Sequence, residues 1–244
     1  MTSVMIPGPV QQEAQVFESI STDSIEKALA ACEQAKAQPL YMPQLADARI
    51  AAGKDSYLWK NYFTTPSTRI TGTSKSGNKV VVYAHVPTYL STSVNLAKAR
   101  EDGLVNGAAK IPQEEFYRIL DLEDNKTVFV VDEATLRNAP PFYISKLSQV
   151  ALKHPQTIPF LGGKERAEAY LAQHQTVYGE FILGPHYVDS ADIPLGRVLF
   201  VGYDFRFGIL DDHIFDKEYE YGYGDGARFL GVVAQQNQPL EEKV

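Results

Sequence analysis

The sequence predicts an α+β protein with a mainly antiparallel sheet, packed helices and an N-terminal helical appendage. Two observations lead to this fold class. Helix-period patterns occupy the N-terminal part of the chain, and strand-period patterns later occur both before and after helices without alternating strictly with them. A doubly wound parallel sheet requires strict alternation of strands and helices, so the antiparallel arrangement is favoured.

Residues 11–53 are predicted to be helical. Asp23, followed three places later by Glu26, has the spacing of a capping box at the start of the first helix. Pro39 and Pro43 end this helix and begin the next one. Both helices are rich in alanine and bury little area on their own, so we expect them to pack on a larger unit.

Three parts of the chain follow from this reading. Residues 1–55 form the N-terminal helical segment docked on the main domain, residues 56–235 form the α+β domain, and residues 236–244 form a polar tail.

The main domain is predicted to begin with a hairpin. Residues 68–86 alternate with strand period around the polar, Gly-containing turn at 75–78. The later elements are a helix, a buried strand, a second helix and three further strands, at residues 111–122, 126–132, 162–175, 181–184, 196–204 and 227–235.

The bulk composition is that of an ordinary globular protein. Hydrophobic residues make up 44% and charged residues 22% of the 244 residues, which excludes extensive disorder. The formal net charge is −7, and no cluster of Lys and Arg stands out. Nucleic acids and anionic membranes both attract concentrated positive surfaces. We therefore expect neither a nucleic-acid partner nor a membrane partner.

The N-terminus and the cysteine content indicate a cytoplasmic protein. The first residues lack the basic start and apolar run of a signal peptide, and no apolar stretch reaches the ~20 residues that span a bilayer. Cys32 is the single cysteine, which excludes an intramolecular disulfide and a cysteine-rich zinc site. Its place in an apolar helical stripe predicts a small buried side chain.

The least ordinary feature is an acidic region, residues 201–228. It holds seven acids and three bases, a net charge of −4 against −7 for the whole chain. The acids are Asp204, Asp211, Asp212, Asp216, Glu218, Glu220 and Asp225, and the bases are Arg206, Lys217 and Arg228. Residues 216–223 alternate with period two, which places carboxylates on one side and three tyrosines on the other.

Two interpretations of this region stay open. In the first, it is a strand whose rings pack on a helix while its carboxylates face water. In the second, it is a binding site, in which carboxylates converge on a hard cation or tyrosines and carboxylates hold a sugar or a cationic group. An EF-hand loop is excluded, because counting from Asp216 places Tyr221 and Ala227 where Gly and Glu are required. The candidate ligand-binding residues are Asp211, Asp212, His213, Asp216, Glu218, Tyr219, Glu220 and Tyr221.

One motif set resembles an enzyme family. The stretch Tyr-Leu-Ser-Thr-Ser at residues 89–93 is similar to the aromatic-Ser-Thr-Ser motif of ADP-ribosyltransferases, with Arg69 upstream and Glu218-Tyr219-Glu220 downstream. The resemblance implies that Arg69 holds the NAD pyrophosphate and Ser91 orders the pocket. It further implies that Glu220 stabilises the oxocarbenium-like ribose while Glu218 orients the acceptor.

The remaining polar residues give no catalytic pattern. The five histidines show no metal-binding spacing, and the sequence contains no Gly-x-Ser-x-Gly elbow. His85, in an apolar strand, is expected to be a hydrogen-bonded core residue, and the aromatic residues around Trp59 are expected to anchor a core. Ser91 or Ser93 is also a candidate N-cap of the next helix.

The sequence therefore predicts a binding protein that takes a cation, a polar small molecule or a basic protein surface. An NAD-consuming transferase is the alternative. The sequence leaves the metal, the cofactor and the oligomeric state unspecified.

Overall fold

The computed structural model describes residues 2–7, 12–20, 23–139, 143–145, 151–179, 181–183, 192–201, 210–212 and 226–233. Within these ranges the chain forms helices and antiparallel strands, which confirms the α+β class. None of the helices in these ranges combines the length and the apolar character that crossing a bilayer requires.

The helices are α1 (Ser24–Gln34), α2 (Met42–Ala51), α3 (Ser93–Glu101), α4 (Gln113–Leu120), α5 (Glu133–Arg137), α6 (Thr157–Leu161) and α7 (Lys164–Tyr178). The strands are β1 (Thr2–Ile6), β2 (Gln12–Ile20), β3 (Ala37–Pro39), β4 (Phe63–Thr73), β5 (Lys79–Ala84), β6 (Ala109–Lys110), β7 (Val128–Asp132), β8 (Tyr143–Ser145), β9 (Phe181–Leu183), β10 (Leu195–Val201), β11 (Leu210–Asp212) and β12 (Gly226–Val233).

The central sheet contains strands from the middle of the chain in the order β11-β10-β4-β5-β7, and β6 adds to β10. The predicted hairpin is confirmed as β4 and β5, which pair in register from Thr68 opposite Ala84 to Thr73 opposite Lys79. β4 begins at Phe63, five residues earlier than the alternation suggested. β8 and β9 form a separate two-stranded sheet.

The terminal sheet joins the two ends of the chain in the order β1-β2-β12-β3. The prediction that residues 11–53 are helical is confirmed for α1 and α2 but wrong for Gln12–Ile20 and Ala37–Pro39, which form β2 and β3. Val16 and Phe17 favour a strand, and pairing with β12 decides the outcome, since Phe17 stands opposite Phe229. A partner so distant along the chain leaves no local signal.

Two clusters of buried side chains fill the interior, and each contains residues from both sheets. One cluster includes Val16 and Leu230 of the terminal sheet with Val81 and Leu199 of the central sheet. The other is represented by Phe229, with partners such as Ile70 and Val82. The two sheets are therefore parts of one packed body.

The predicted capping box at α1 is wrong in its detail. Asp23 precedes the helix but makes no side-chain capping hydrogen bond, and its carboxylate lies 2.9 Å from the Lys27 ammonium. Glu26 turns instead to Arg100 of α3, whose Nε donates to its carboxylate at 2.6 Å. This partly buried ion pair ties α1 to α3.

Glycines on two strands let neighbouring segments approach closely. A Cβ on Gly231 of β12 would lie 2.7 Å from Cys32 Sγ, and one on Gly196 of β10 would lie 2.8 Å from Ile111. Cys32 is fully buried, as the sequence predicted, and its thiol donates to the Ala37 carbonyl at 3.3 Å. In each sheet, one strand therefore packs closely at a glycine against a neighbouring segment of the chain.

Candidate functional site

The acidic region connects the two sheets. It leaves the central sheet at Val201, the last residue of β10, and enters the terminal sheet at Gly226, the first residue of β12. Between them, β11 returns to pair with β10, with Leu210 opposite Val201, Asp211 opposite Phe200 and Asp212 opposite Leu199. Both ends of the region are therefore attached to well-packed strands.

The structure describes part of the predicted binding set. The backbone places Asp211 and Asp212 on β11, which is the edge strand of the central sheet. The other six residues of the set lie outside the described residues, and they are His213, Asp216, Glu218, Tyr219, Glu220 and Tyr221. The tyrosine and carboxylate alternation therefore stays a prediction, as does the polar tail at 236–244.

Arg228 anchors the terminal-sheet end of the region. Its Nη1 donates to Asn61 Oδ1 at 2.6 Å, its guanidinium lies 4.8 Å from the centre of the Tyr62 ring, and its Nη2 pairs with Glu18 on β2. Burial raises the pKa of the Tyr62 hydroxyl above its ordinary value. Glu18, the ion-pair partner of Arg228, lies outside the acidic region.

The surface around Arg228, formed by Ile20, Asn61 and Tyr62 and called the rim below, also carries an exposed apolar residue. Ile20 ends β2 in register with Gly226 and is 78% exposed. Asn61 links the rim to the interior, because its backbone carbonyl accepts a 2.7 Å hydrogen bond from the buried Arg49. Arg49 in turn donates to the Tyr170 hydroxyl at 2.9 Å. Arg49 thus connects the rim to the buried core by hydrogen bonds to Asn61 and Tyr170.

Two buried arginines lie side by side on the central sheet. Arg197 of β10 stands opposite Arg69 of β4, and Arg69 stands opposite Tyr83 of β5, so all three side chains share one face. Both arginines are 2% exposed, and Arg197 Nη2 donates to the Asn106 carbonyl at 2.6 Å. The sequence analysis did not single out Arg197. The sequence feature that could have identified Arg197 is its place as the single charged residue in the otherwise apolar stretch Leu195–Val201.

The ADP-ribosyltransferase motif residues take ordinary structural positions where they are described. Ser91 Oγ accepts a 2.9 Å hydrogen bond from the Thr88 backbone N–H and so closes a short turn. Neither Ser91 nor Ser93 caps the following helix. Thr92 does so by accepting from Asn95 N at 3.3 Å, one residue away from the predicted caps. Glu218 and Glu220 lie outside the described residues.

The buried histidines serve the packing. His85 is confirmed as a hydrogen-bonded core residue, with Nδ1 2.9 Å from Ser67 Oγ and Nε2 2.8 Å from the Pro159 carbonyl. Burial lowers its pKa to about 4, and burial together with the charge of Arg49 lowers the pKa of His174 to about 3. Both imidazoles are therefore neutral at pH 7.

The aromatic cluster around Trp59 is a core anchor, as the sequence predicted. Trp59 is fully buried, and its ring centre lies 5.3 Å from that of Tyr170 and 5.9 Å from that of Tyr178. Its indole N–H donates to the Arg49 carbonyl at 2.8 Å. The cluster joins α2 to α7.

The part of the chain that the structure describes contains no group of three His, Cys, Asp or Glu side chains suited to a metal ion. A shallow cavity of about 390 Å³ lies along β1 and the loop after α2, where Ser3, Met5 and Tyr57 line it. β2 separates this cavity from β12 within the terminal sheet. The described residues that line it include none of the predicted site residues.

Comparisons with known proteins identify one informative similarity. No protein-family model and no curated protein matches the sequence. A solved structure matches with 42% sequence identity and a TM-score of 0.77, over 91% of this chain and 98% of its own. That structure is described as accommodation of massive sequence variation in Nanoarchaeota by the C-type lectin fold. The comparisons give no support to an ADP-ribosyltransferase.

Proposed function

The chain belongs to the C-type lectin fold family represented by that nanoarchaeal structure, and on this premise we propose that it is a binding protein whose ligand surface is the acidic region. The observation that carries the proposal is the attachment of this region at both ends to buried strands of different sheets. A rigid scaffold that presents a variable connection is the usual arrangement of a recognition surface.

The solved relative supports this assignment through the property its description names. Its fold accommodates massive sequence variation. In the present chain, β10, β12 and the Arg228 anchor hold the two ends of the acidic region, and all eight predicted ligand residues lie between Val201 and Gly226. Substitutions in the intervening residues leave both anchors in place, which suits a surface whose contacts differ among relatives.

The ligand we propose is a basic surface on another protein. The region carries a net charge of −4, and Arg228 is balanced by Glu18 from outside it. Its tyrosines and the exposed Ile20 at its rim add the aromatic and apolar contact area that is typical of protein interfaces. A surface of this kind attracts a positively charged partner and holds it by contact.

Charge-matched variants test this proposal. One variant changes Asp216→Asn, Glu218→Gln and Glu220→Gln, and the control changes three exposed acids on another part of the surface, Glu101→Gln, Asp102→Asn and Glu123→Gln. Both move the net charge from −7 to −4. The probe is a fluorescent octalysine peptide, whose binding is followed by anisotropy at low and high salt.

We expect the first variant to bind octalysine about tenfold more weakly and the control to match the wild type within about twofold. Equal weakening by both variants would show that the attraction comes from the overall charge, which would end the proposal. Melting curves with calcium, magnesium and EDTA provide a second arm. A rise in Tm with calcium that EDTA reverses would replace the basic partner with a metal ion.

A further inference from the structure

β1 is an edge strand that lacks the usual protection of such strands. In the order β1-β2-β12-β3 it pairs with β2 on one side, and no strand within the described ranges pairs with it on the other. Its five residues contain no charge and no proline, and its register with β2 runs without a bulge. Charges, prolines and bulges are the features by which proteins keep other chains from pairing with an edge strand. β1 therefore offers backbone N–H and C=O groups to an added strand.

The opposite edge of the terminal sheet is protected. β3 has only three residues, Ala37–Pro39, and its last residue is a proline. Proline has no N–H to donate to a further strand, and a three-residue edge presents few backbone groups. Within this one sheet, β1 is therefore the edge that can accept another strand.

The cavity of about 390 Å³ follows the free edge of β1. Ser3 and Met5 point to one side of the strand and Val4 to the other, so a cavity that touches all three runs along the edge. Its other side is formed by residues 51–53 and 56–58. The volume lies in the range of roughly 300–1,000 Å³ that ligand sites occupy. This space between β1 and the segment after α2 is called the β1 groove below.

The lining of the β1 groove carries no charge among the described residues. All ten of its lining residues are uncharged, although 22% of the chain is charged. Met5 is 55% exposed and supplies an apolar side chain, and a Cβ placed on Gly53 would meet no atom within 4 Å. A charged side chain entering this groove would lose hydration without gaining a partner. The groove therefore matches an extended segment that has no charges.

We propose that the β1 groove binds an uncharged, extended peptide segment of another protein, which adds to the terminal sheet as a strand beside β1. Backbone hydrogen bonds to β1 supply the affinity, and every second side chain of the segment lies against Met5. The segment after α2 bounds the far side, so the groove suits a single strand. A second copy of this chain would instead bring its own β2 together with its β1.

This surface is separate from the acidic region, because β2 lies between β1 and β12. The test starts from random decapeptides displayed on phage and selected on the full-length wild type. Two classes of peptide are expected, namely basic peptides that bind the acidic region and uncharged peptides that bind the β1 groove. Selection of basic peptides alone would overturn the inference and leave the proposed function standing. Selection of uncharged peptides alone would do the reverse.

Matched variants locate the binding site of the best uncharged peptide. Met5→Lys places a charge in the groove and is expected to weaken binding about tenfold. Val94→Lys places the same charge at a 73% exposed apolar residue of α3 and is expected to change binding by less than about twofold. Gly53→Leu fills the open space and is expected to weaken binding about fivefold at an unchanged Tm. Equal effects of the two lysine substitutions would overturn the inference.

Amide exchange followed by NMR reports the strand pairing itself. Backbone N–H groups of an edge strand point alternately to its partner and to its open side. Every second amide of β1 is therefore expected to exchange fast in the free protein and to gain about tenfold protection when the peptide binds. Protection of all β1 amides in the free protein would show an edge that is already paired. A dimer mass in light scattering that Met5→Lys reduces to a monomer would assign the groove to a second copy. Either result would overturn the inference.

Discussion

The central sheet and the terminal sheet are both antiparallel, yet they are assembled from very different parts of the chain. β4 and β5 of the central sheet meet across a short turn, whereas Glu18 and Arg228 of the terminal sheet meet across 210 positions of sequence. Local pairing closes small loops and distant pairing closes large ones, so the pairing of β2 with β12 carries a greater entropic cost than the pairing of β4 with β5. The acidic region connects a strand of the central sheet, β10, to the terminal-sheet strand that makes this distant pairing, β12.

The first test of this comparison lowers the pH, which protonates His85 beside the central sheet and His174 on α7. The pKa values of His85 and His174 are lowered to about 4 and about 3, while an unfolded histidine has a pKa near 6.5. Between these values the unfolded state binds more protons, so stability is complete above about pH 6.5 and falls as the pH decreases. We expect a loss of about 5 kcal/mol in the free energy of unfolding between pH 7 and 4.5.

Urea unfolding at several pH values checks this prediction. His85→Gln is expected to remove about half of the pH dependence, because His174 continues to titrate. A pH-independent free energy of unfolding in this range would contradict the assignment of both histidines as neutral core residues. The terminal sheet holds neither histidine, so hydrogen exchange at pH 5 shows whether it loses protection together with β4 and β5.

The second test removes a side chain from the core that both sheets share. Trp59→Ala leaves a large cavity among Tyr170, His174 and Tyr178, and we expect it to cost about 4 kcal/mol. Because the surrounding cluster includes strands of both sheets, a single unfolding transition is expected by circular dichroism and by hydrogen exchange. Two separate transitions would mean that the sheets unfold independently. Leu122→Ala, at an exposed position, is a control expected to change little.

The third test compares the close contacts made by one glycine in each sheet. Gly231→Ala places a methyl group against Cys32 Sγ, and Gly196→Ala places one against Ile111, so each is expected to cost about 2 kcal/mol. Cys32→Ala is expected to relieve the first substitution and leave the second unchanged. Denaturant melts of the single and double variants measure this. Rescue of both substitutions by Cys32→Ala would contradict the separate contacts described here.

The smallest effect is expected at the ion pair that fastens α1, the helix packed on the terminal sheet. Glu26→Gln removes the carboxylate that accepts from Arg100, and because Arg100 keeps partial access to water we expect a loss of about 1.5 kcal/mol. Glu115→Gln is the matched control at a surface pair with Arg118 and is expected to cost less than about 0.5 kcal/mol. Equal losses in thermal melts would show that the α1 pair is no better sheltered than the surface pair.

The sequence predicted the features that depend on neighbouring residues. The hairpin of β4 and β5 follows from alternation around a glycine turn, and the buried side of α7 follows from the spacing of Ala167, Tyr170, Leu171 and His174. The burial of Cys32 and Trp59 follows from residue type and spacing in the same way. All of these features depend on residues that lie close together in the sequence.

The features that the sequence did not reveal depend on distant partners. β2 is a strand because β12 pairs with it, and Glu26 leaves its capping position because Arg100 lies within reach. The pairing of Arg69 with Arg197 depends on strand register, which no local pattern specifies. Of the candidate site, the sequence identified the concentration of acids, whereas the anchors at Arg228 and on β10 required the fold.

The lone thiol of the chain has a use that follows from where it lies. Burial raises the pKa of Cys32 to about 12, and Gly231 covers its sulfur so closely that a reagent has no path to it while α1 stays in place. The rate at which a thiol reagent modifies Cys32 in the wild-type protein is therefore expected to equal the rate at which α1 separates from the terminal sheet. The labelling rate of Cys32 therefore measures the local opening of α1, and no cysteine has to be introduced for the measurement.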